Sequence, residues 1–377
     1  MKLIVDRGLL SSSVNFVTRM IPARPPSPIL SGMLIEAKNE KVTLSTFNYE
    51  TSAKVEFSAN VIEGGKVLVP GTLISSISQK LPDEPVEISK EDEKISLTCG
   101  PVNYILNLMP IAEYPPLPNL ENAEQYRIPS EDFVRSVSQV TTSAAKDDIS
   151  AVITGINLRL SNESIELTGT DRYRVAVKTL NSVSGHPSDS SVIVSSKTLF
   201  EVSKTLGNLE SEISVFIKND GENKVIGFES GNKTVTSLLI SGNYPPVAKL
   251  FTEETGHYAI LKTSDFLEST KRVSVVVERD EPIEFSFVKN TVTIKGSGIA
   301  LASEKVECEL FGDEISIMLR PQFLCDGLIA CQEDFIKVAF TKPSVKNRPG
   351  PVLITPKLSN KEKIDFKYLL QPNLFAK

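Results

Sequence analysis

One eight-residue pattern occurs three times in this chain, at a constant spacing of 125 residues. VLVPGTLI (Val67–Ile74) returns as VIVSSKTL (Val192–Leu199) and again as IMLRPQFL (Ile317–Leu324), with Pro70, Ser195 and Arg320 in equivalent places. Solenoid repeats run to roughly 20–50 residues, so a unit this long is a domain in its own right. A chain of 377 residues is also too long for one compact core, whereas three units of this size are ordinary domains. The expected division is residues 1–120, 121–250 and 251–377, an arc of similar blocks, two of which could close a ring.

Each unit carries the same order of local signals. An amphipathic helix comes first: Leu10, Val14, Val17 and Ile21, then Phe133, Val137, Val140 and Ala144, then Phe266, Thr270, Val273 and Val277, all at helical spacing. Ser130 and Ser264 stand as expected N-caps, each followed by acids in the first turn. Hairpins follow at Gly32–Glu36 with Lys41–Thr46, Gly155–Leu160 with Ser164–Thr170, and Pro282–Val288 with Thr291–Gly296. The repeated segment then predicts a strand and a second helix, with Ile74, Ile77 and Leu81 matched by Leu199, Val202 and Leu206 and more loosely by Phe323, Leu324 and Leu328. Alternating strands such as Val86–Thr98 and Lys224–Ser230 close the units, and YPPLP (Tyr114–Pro118) and YPPVAKLF (Tyr244–Phe251) read as stiff joints. The expected class is α+β, with two helices packed on antiparallel sheet in each of three domains.

Several functions find no support in these residues. No apolar run approaches the ~18 residues of a membrane span. MKLIVDRGLL lacks the apolar core of a signal peptide. Cys99, Cys308, Cys325 and Cys331 form no CxxC pair, so reduced thiols in a cytoplasm are expected, with no metal and no cofactor. GxSxG, HExxH, P-loop and GxGxxG patterns are missing. The two histidines, His186 and His257, read as loop residues, and no pair of acids stands out, so no catalytic residue is expected.

RPPSPILSGMLIE (Arg24–Glu36), TGTDRYRVAV (Thr168–Val177), the two YPP joints and YLLQP (Tyr368–Pro372) lie in order across the three repeats. Together they make the chain resemble the bacterial DNA polymerase III beta subunit family, the sliding clamps. The resemblance implies a ring-shaped, head-to-tail homodimer of six similar domains, with helices lining the hole and sheet forming the rim. It implies a non-enzymatic processivity factor that encircles duplex DNA without regard to sequence. Such a factor tethers the replicative polymerase, the clamp loader and repair polymerases.

Residue chemistry is compatible with this. The six expected helices sum to +4 in a chain whose formal charge is −6. Their polar faces carry short neutral groups: Ser11, Ser12, Ser13, Asn15, Ser136, Ser138, Gln139 and Thr142. A lining of this kind attracts phosphate without gripping it. The resemblance places DNA contacts at Arg24 and Lys197, with Arg19, Lys80, Lys204 and Lys271 added by the repeat; Asp147–Val152 lacks the DNA-touching groups of some relatives.

A hydrophobic cleft for short linear peptides, with a glutamine followed by aliphatic and aromatic residues, is implied at Val152, Ile153, Thr170, Arg172, Tyr173, Arg174, Val175, Pro245, Lys249, Leu250, Phe323, Leu369, Leu370, Gln371 and Pro372. Ile153, Val175, Leu250 and Leu370 are its expected floor, and Arg174 and Lys249 its rim. Gln371 and Arg320 depart from the methionine and asparagine often found there. The implied subunit contact sets Tyr104 and Leu106 against Val275 and Val276 of a second copy. On the residues alone, a scaffold without DNA in the hole, or a multidomain hydrolase, would also account for the repeat.

Overall fold

The computed structural model describes residues 1–146, 150–161, 164–181, 184–185, 190–218, 224–251, 256–341, 350–358 and 364–374. His186 and residues 147–149 of the Asp147–Val152 loop lie outside the described residues. Among the described residues there are seven α-helices: α1 (Arg7–Thr18), α2 (Gly71–Ser78), α3 (Ser130–Thr141), α4 (Ala151–Thr154), α5 (Ser196–Leu206), α6 (Thr263–Ser274) and α7 (Pro321–Cys331). Among the described residues the strands pair antiparallel, as expected for this class. The chain divides into two compact units. One comprises residues 1–133, 184–186 and 201–239, the other residues 134–183, 187–200 and 240–377.

The first unit holds a five-stranded sheet in the order Asn60–Glu63, Lys2–Val5, Val86–Glu91, Lys94–Cys99, Val102–Asn107. A nine-stranded sheet accompanies it, in which Lys233–Leu238 pairs with Thr51–Ser58 through Val235 and Ala53. Its first hairpin turns at Asn39 and Glu40, both at positive φ, between the paired Lys38 and Lys41. Two central residues at positive φ match the right-handed twist of the strands they join. Leu10, Val14 and Val17 of α1 are buried as their spacing predicts, and α1 packs against α2. Ile21 falls beyond the end of α1.

The second unit holds a twelve-stranded sheet, joined at its middle where Arg174–Leu180 pairs with Phe366–Leu370. The order there runs Gly155–Leu160, Ile165–Thr170, Arg174–Leu180, Phe366–Leu370, Val352–Pro356 and Phe335–Phe340. Strand ladders therefore link segments far apart in the chain, and the compact units do not follow the repeat length. α6 buries Phe266, Thr270 and Val273. α7 buries Leu324 and Leu328 but leaves Phe323 partly exposed. α7 comes close to the strand because Gly327 has no side chain; a Cβ there would lie 2.4 Å from the Tyr368 ring.

Neither expected serine cap holds. α3 begins at Ser130 itself, whose hydroxyl donates to the Glu210 carbonyl (2.6 Å). α6 begins at Thr263 after Lys262, and Ser264 bonds Asp265 at 2.8 Å. Ser130 thus has a tertiary partner 80 residues away that the spacing cannot show.

Candidate functional site

TGTDRYR folds into a turn whose hydrogen bonds are nearly all internal. Asp171 Oδ1 accepts from the backbone N–H of Tyr173 (3.0 Å) and of Arg174 (3.1 Å). Thr170 Oγ1 accepts from Arg172 N–H (3.2 Å) and donates to the Arg174 carbonyl (2.8 Å). These bonds hold Arg172 at φ +79°, a conformation that costs a non-glycine residue free energy. The turn presents Tyr173 outward, 53% exposed, and buries Arg174.

Arg174 is not on a rim. Its side chain is 4% exposed, with Nε donating to Asp171 Oδ2 at 2.9 Å and Nη1 to Asp326 Oδ2 at 2.6 Å and Tyr368 Oη at 3.3 Å. Tyr368 donates in turn to the Phe323 carbonyl at 2.6 Å. Burial opposes the Arg174 charge, but Tyr368, Asp326 and Asp171 outweigh it and hold the guanidinium above its ordinary pKa. Burial likewise pushes the Tyr368 phenol up. The network ties the turn, the C-terminal strand and α7 into one body, which the cleft residues of the sequence reading share.

Those cleft residues divide over the two faces of the sheet. Val175 pairs with Leu369 and clusters with Ala339 and Leu353, against which Val247 and Phe251 of the second joint pack. Arg174 pairs with Leu370, one residue on, so the side chains of both point to the opposite face. Leu370, 1% exposed, is core and not floor. Ile153 is also buried, within α4. Leu250, expected on the floor, is 46% exposed on the short 3₁₀ turn Val247–Leu250, and Lys249 beside it is exposed. Val152 meets the joint at Gly242, where a Cβ would come within 2.6 Å of it. Pro245 is exposed, Pro372 is buried, and Gln371 N–H donates to the Tyr173 carbonyl at 3.0 Å.

A ring stack completes this surface. Tyr173 and Phe323 lie with centroids 6.1 Å apart and planes inclined by 30°. The Arg174 guanidinium sits 4.4 Å from the Phe323 centroid on one side, and Arg320 sits 5.0 Å from the Tyr173 centroid and 5.5 Å from that of Phe323. The result is a shallow aromatic surface of Tyr173 and Phe323 with two guanidinium groups against it, able to bury a few side chains of a short extended ligand. Asp171 was readable as the acceptor of a turn; Asp326 and Tyr368 stand 152 and 194 residues from Arg174 and carry no local signal.

The joints are anchored by their tyrosines. Tyr114 Oη accepts from Phe47 N–H at 2.7 Å, and burial pushes its phenol up to about 12. Tyr244 Oη reaches the Gly155 carbonyl at 3.5 Å, and its phenol is raised by burial.

Arg19, Arg24, Lys80, Lys197 and Lys204 are exposed. Lys271, although exposed, bonds Glu268 at 2.8 Å, and that bond raises its pKa. Lys233, not singled out by the sequence, lies 5.0 Å over Phe16; burial and the nearby Arg19 charge lower its pKa. The polar faces are less wet than their composition implies. Ser13, Ser136 and Gln139 are buried, and Gln139 Nε2 donates to the Ala330 carbonyl of α7 at 2.7 Å. Arg135, in the same seam, pairs with Glu333 at 3.1 Å.

The expected interface residues also differ in exposure. Along the edge strand Val102–Asn107, Leu106 turns into its own sheet, Tyr104 is half-buried and Ile105 is 65% exposed. Val275, at the end of α6, is 76% exposed, and Val276 is half-buried.

Three family models cover nearly the whole chain. They describe the N-terminal, central and C-terminal domains of the DNA polymerase III beta subunit and match residues 1–118, 127–246 and 248–369. The beta sliding clamp of Streptomyces coelicolor is 36% identical over 375 residues, covering 99% of each chain. That of Micrococcus luteus is 35% identical over 313 residues, 82% of this chain and 100% of the relative. The solved sliding clamp of Bacillus subtilis, 22% identical and covered completely in both directions, shares the fold with a TM-score of 0.91. By family models along almost its whole length, and by identity above a third to curated relatives, the chain belongs to the bacterial DNA polymerase III beta subunits, the beta sliding clamps.

Proposed function

We propose that two copies of this chain close head to tail into a ring around duplex DNA and hold the replicative polymerase there. Within that reading the chain is a processivity factor without catalytic activity, built of clamp domains at 1–120, 121–250 and 251–377. The observation that carries it is the threefold pattern of helix pair and antiparallel sheet, matched by clamp family models in all three parts. Arg19, Arg24, Lys80, Lys197 and Lys204 are the proposed phosphate-facing cations; Lys271 contributes less because Glu268 already pairs with it. Retention by topology and not by affinity should leave the loaded ring on nicked circular duplex and let it run off a linear one. Weak direct affinity should fall further with salt. Equal retention on both DNAs after loading would overturn the ring.

The Tyr173–Phe323 surface, with the exposed Leu250 as a further anchor, is the proposed seat for short peptides of polymerases, the clamp loader and repair polymerases. A solved Pseudomonas aeruginosa clamp of the same fold is bound to griselimycin; it is 19% identical, covers 99% of each chain and has a TM-score of 0.90. Tyr173→Ala with Leu250→Ala removes two exposed anchors and leaves the core intact. Binding of a peptide with the glutamine–aliphatic–aromatic pattern should weaken by ~2 kcal/mol or more, with unchanged thermal stability. Equal affinity in titration calorimetry would show the seat is elsewhere.

A further inference from the structure

We propose that Arg320 makes this surface select peptides that carry a carboxylate beside their aromatic residue. The proposal rests on the peptide-seat reading and adds to it the chemistry of the ligand.

Arg320 occupies the N-cap of α7 and makes no side-chain cap bond; Pro321 follows it. An N-cap is normally Ser, Thr, Asp or Asn, whose oxygen accepts from the first turn, whereas a guanidinium has no acceptor. A cation also sits unfavourably at the positive end of a helix dipole. Helix stability therefore does not account for arginine at this position. Its side chain lies instead across Tyr173 and Phe323, at 5.0 and 5.5 Å from their centroids. Stacking holds the plane of the guanidinium and leaves its N–H edge to form a two-pronged bond with a carboxylate.

The local charges do not supply that carboxylate. Asp171 and Asp326 are both directed at Arg174, and Asp326 Oδ1 also accepts from Gln322 at 2.8 Å. Among the described residues no ion pair includes Arg320, Arg172 or Lys249. Arg172 and Lys249 are exposed, and Arg172 is held outward by the left-handed turn. Two acids thus serve one buried arginine, and the cations left in excess are Arg320 on the ring stack, Arg172 in the same turn as Tyr173, and the exposed Lys249. An acidic group next to the aromatic anchor would meet this excess; an amide would not.

The test titrates the full-length dimer with two synthetic peptides of the glutamine–aliphatic–aromatic pattern, differing only in aspartate or asparagine adjacent to the aromatic residue. The aspartate peptide should bind about fivefold tighter at low salt, and the difference should shrink as salt screens it. Arg320→Gln should bring the two peptides to equal affinity, the ratio between them being the quantity read. Arg320→Lys should restore only part of the preference, because an ammonium cannot form the two-pronged bond. Equal binding of both peptides to the unmodified chain overturns the role of Arg320 and leaves the seat in place. A preference that survives in Arg320→Gln also overturns it and points to Arg172 or Lys249. Failure of both peptides to bind overturns the seat itself.

Discussion

Arg174→Ala is expected to destabilise the unit that contains it by ~3–5 kcal/mol, the range for removing one partner from a buried ion network. The substitution strands Asp171 and Asp326, which lie 14% and 20% exposed against the guanidinium, and leaves Tyr368 without its cation. It also opens a space beside the Phe323 ring. For a unit of this size the loss corresponds to a fall in Tm of roughly 6–20 °C in a calorimetric scan. Arg174→Lys should recover little, since one ammonium cannot reach Asp171, Asp326 and Tyr368 from a single position. Peptide binding should fall as well, because the turn that presents Tyr173 uses the same Asp171. A Tm within about 2 °C of the unmodified chain would show that the network contributes little.

Val275→Asp is expected to give monomers of 41.3 kDa by light scattering at low micromolar concentration, each with its fold intact. Val275 is 76% exposed at the end of α6, and Ile299, whose N–H bonds the Val276 carbonyl at 2.9 Å, is 87% exposed. Leu301, at the start of the strand Leu301–Phe311, where the ladder has a partner on one side only, is equally bare. Three apolar side chains with so little cover on one small region fit the proposed contact with a second copy. Across the proposed contact, Ile105 on the edge strand Val102–Asn107 replaces Leu106 as the apolar side chain that meets it. An unpaired carboxylate there costs on the order of 3–5 kcal/mol, a hundredfold or more in dimer Kd. Pairing two edge strands between copies also hides backbone groups that would otherwise invite aggregation. An unchanged dimer would move the contact elsewhere.

Much of this molecule was legible from local pattern. Repeat length, the order of helix, hairpin, strand and helix, and the buried stripe Leu10, Val14 and Val17 follow from spacing alone, because a helix or strand presents its side chains at a fixed period. The turn at Asp171 obeys an equally local rule, since an aspartate can bond its own backbone two and three residues on, but the resemblance and not that rule singled out TGTDRYR. Spacing could not say which face of the sheet each cleft residue takes. Val175 and Leu369 face one side and Arg174 and Leu370 the other, and that assignment depends on a register between strands nearly two hundred residues apart in the chain. Nor could it tell a wet helix face from a polar seam. Ser136 and Gln139 read as solvent-facing until α7 is brought against them, where Gln139 meets the Ala330 carbonyl. Composition and period determined what the elements are and how often they recur. Tertiary packing alone decided which charges are spent on one another, since a carboxylate finds Arg174 or leaves Arg320 open by distance in space and not in sequence.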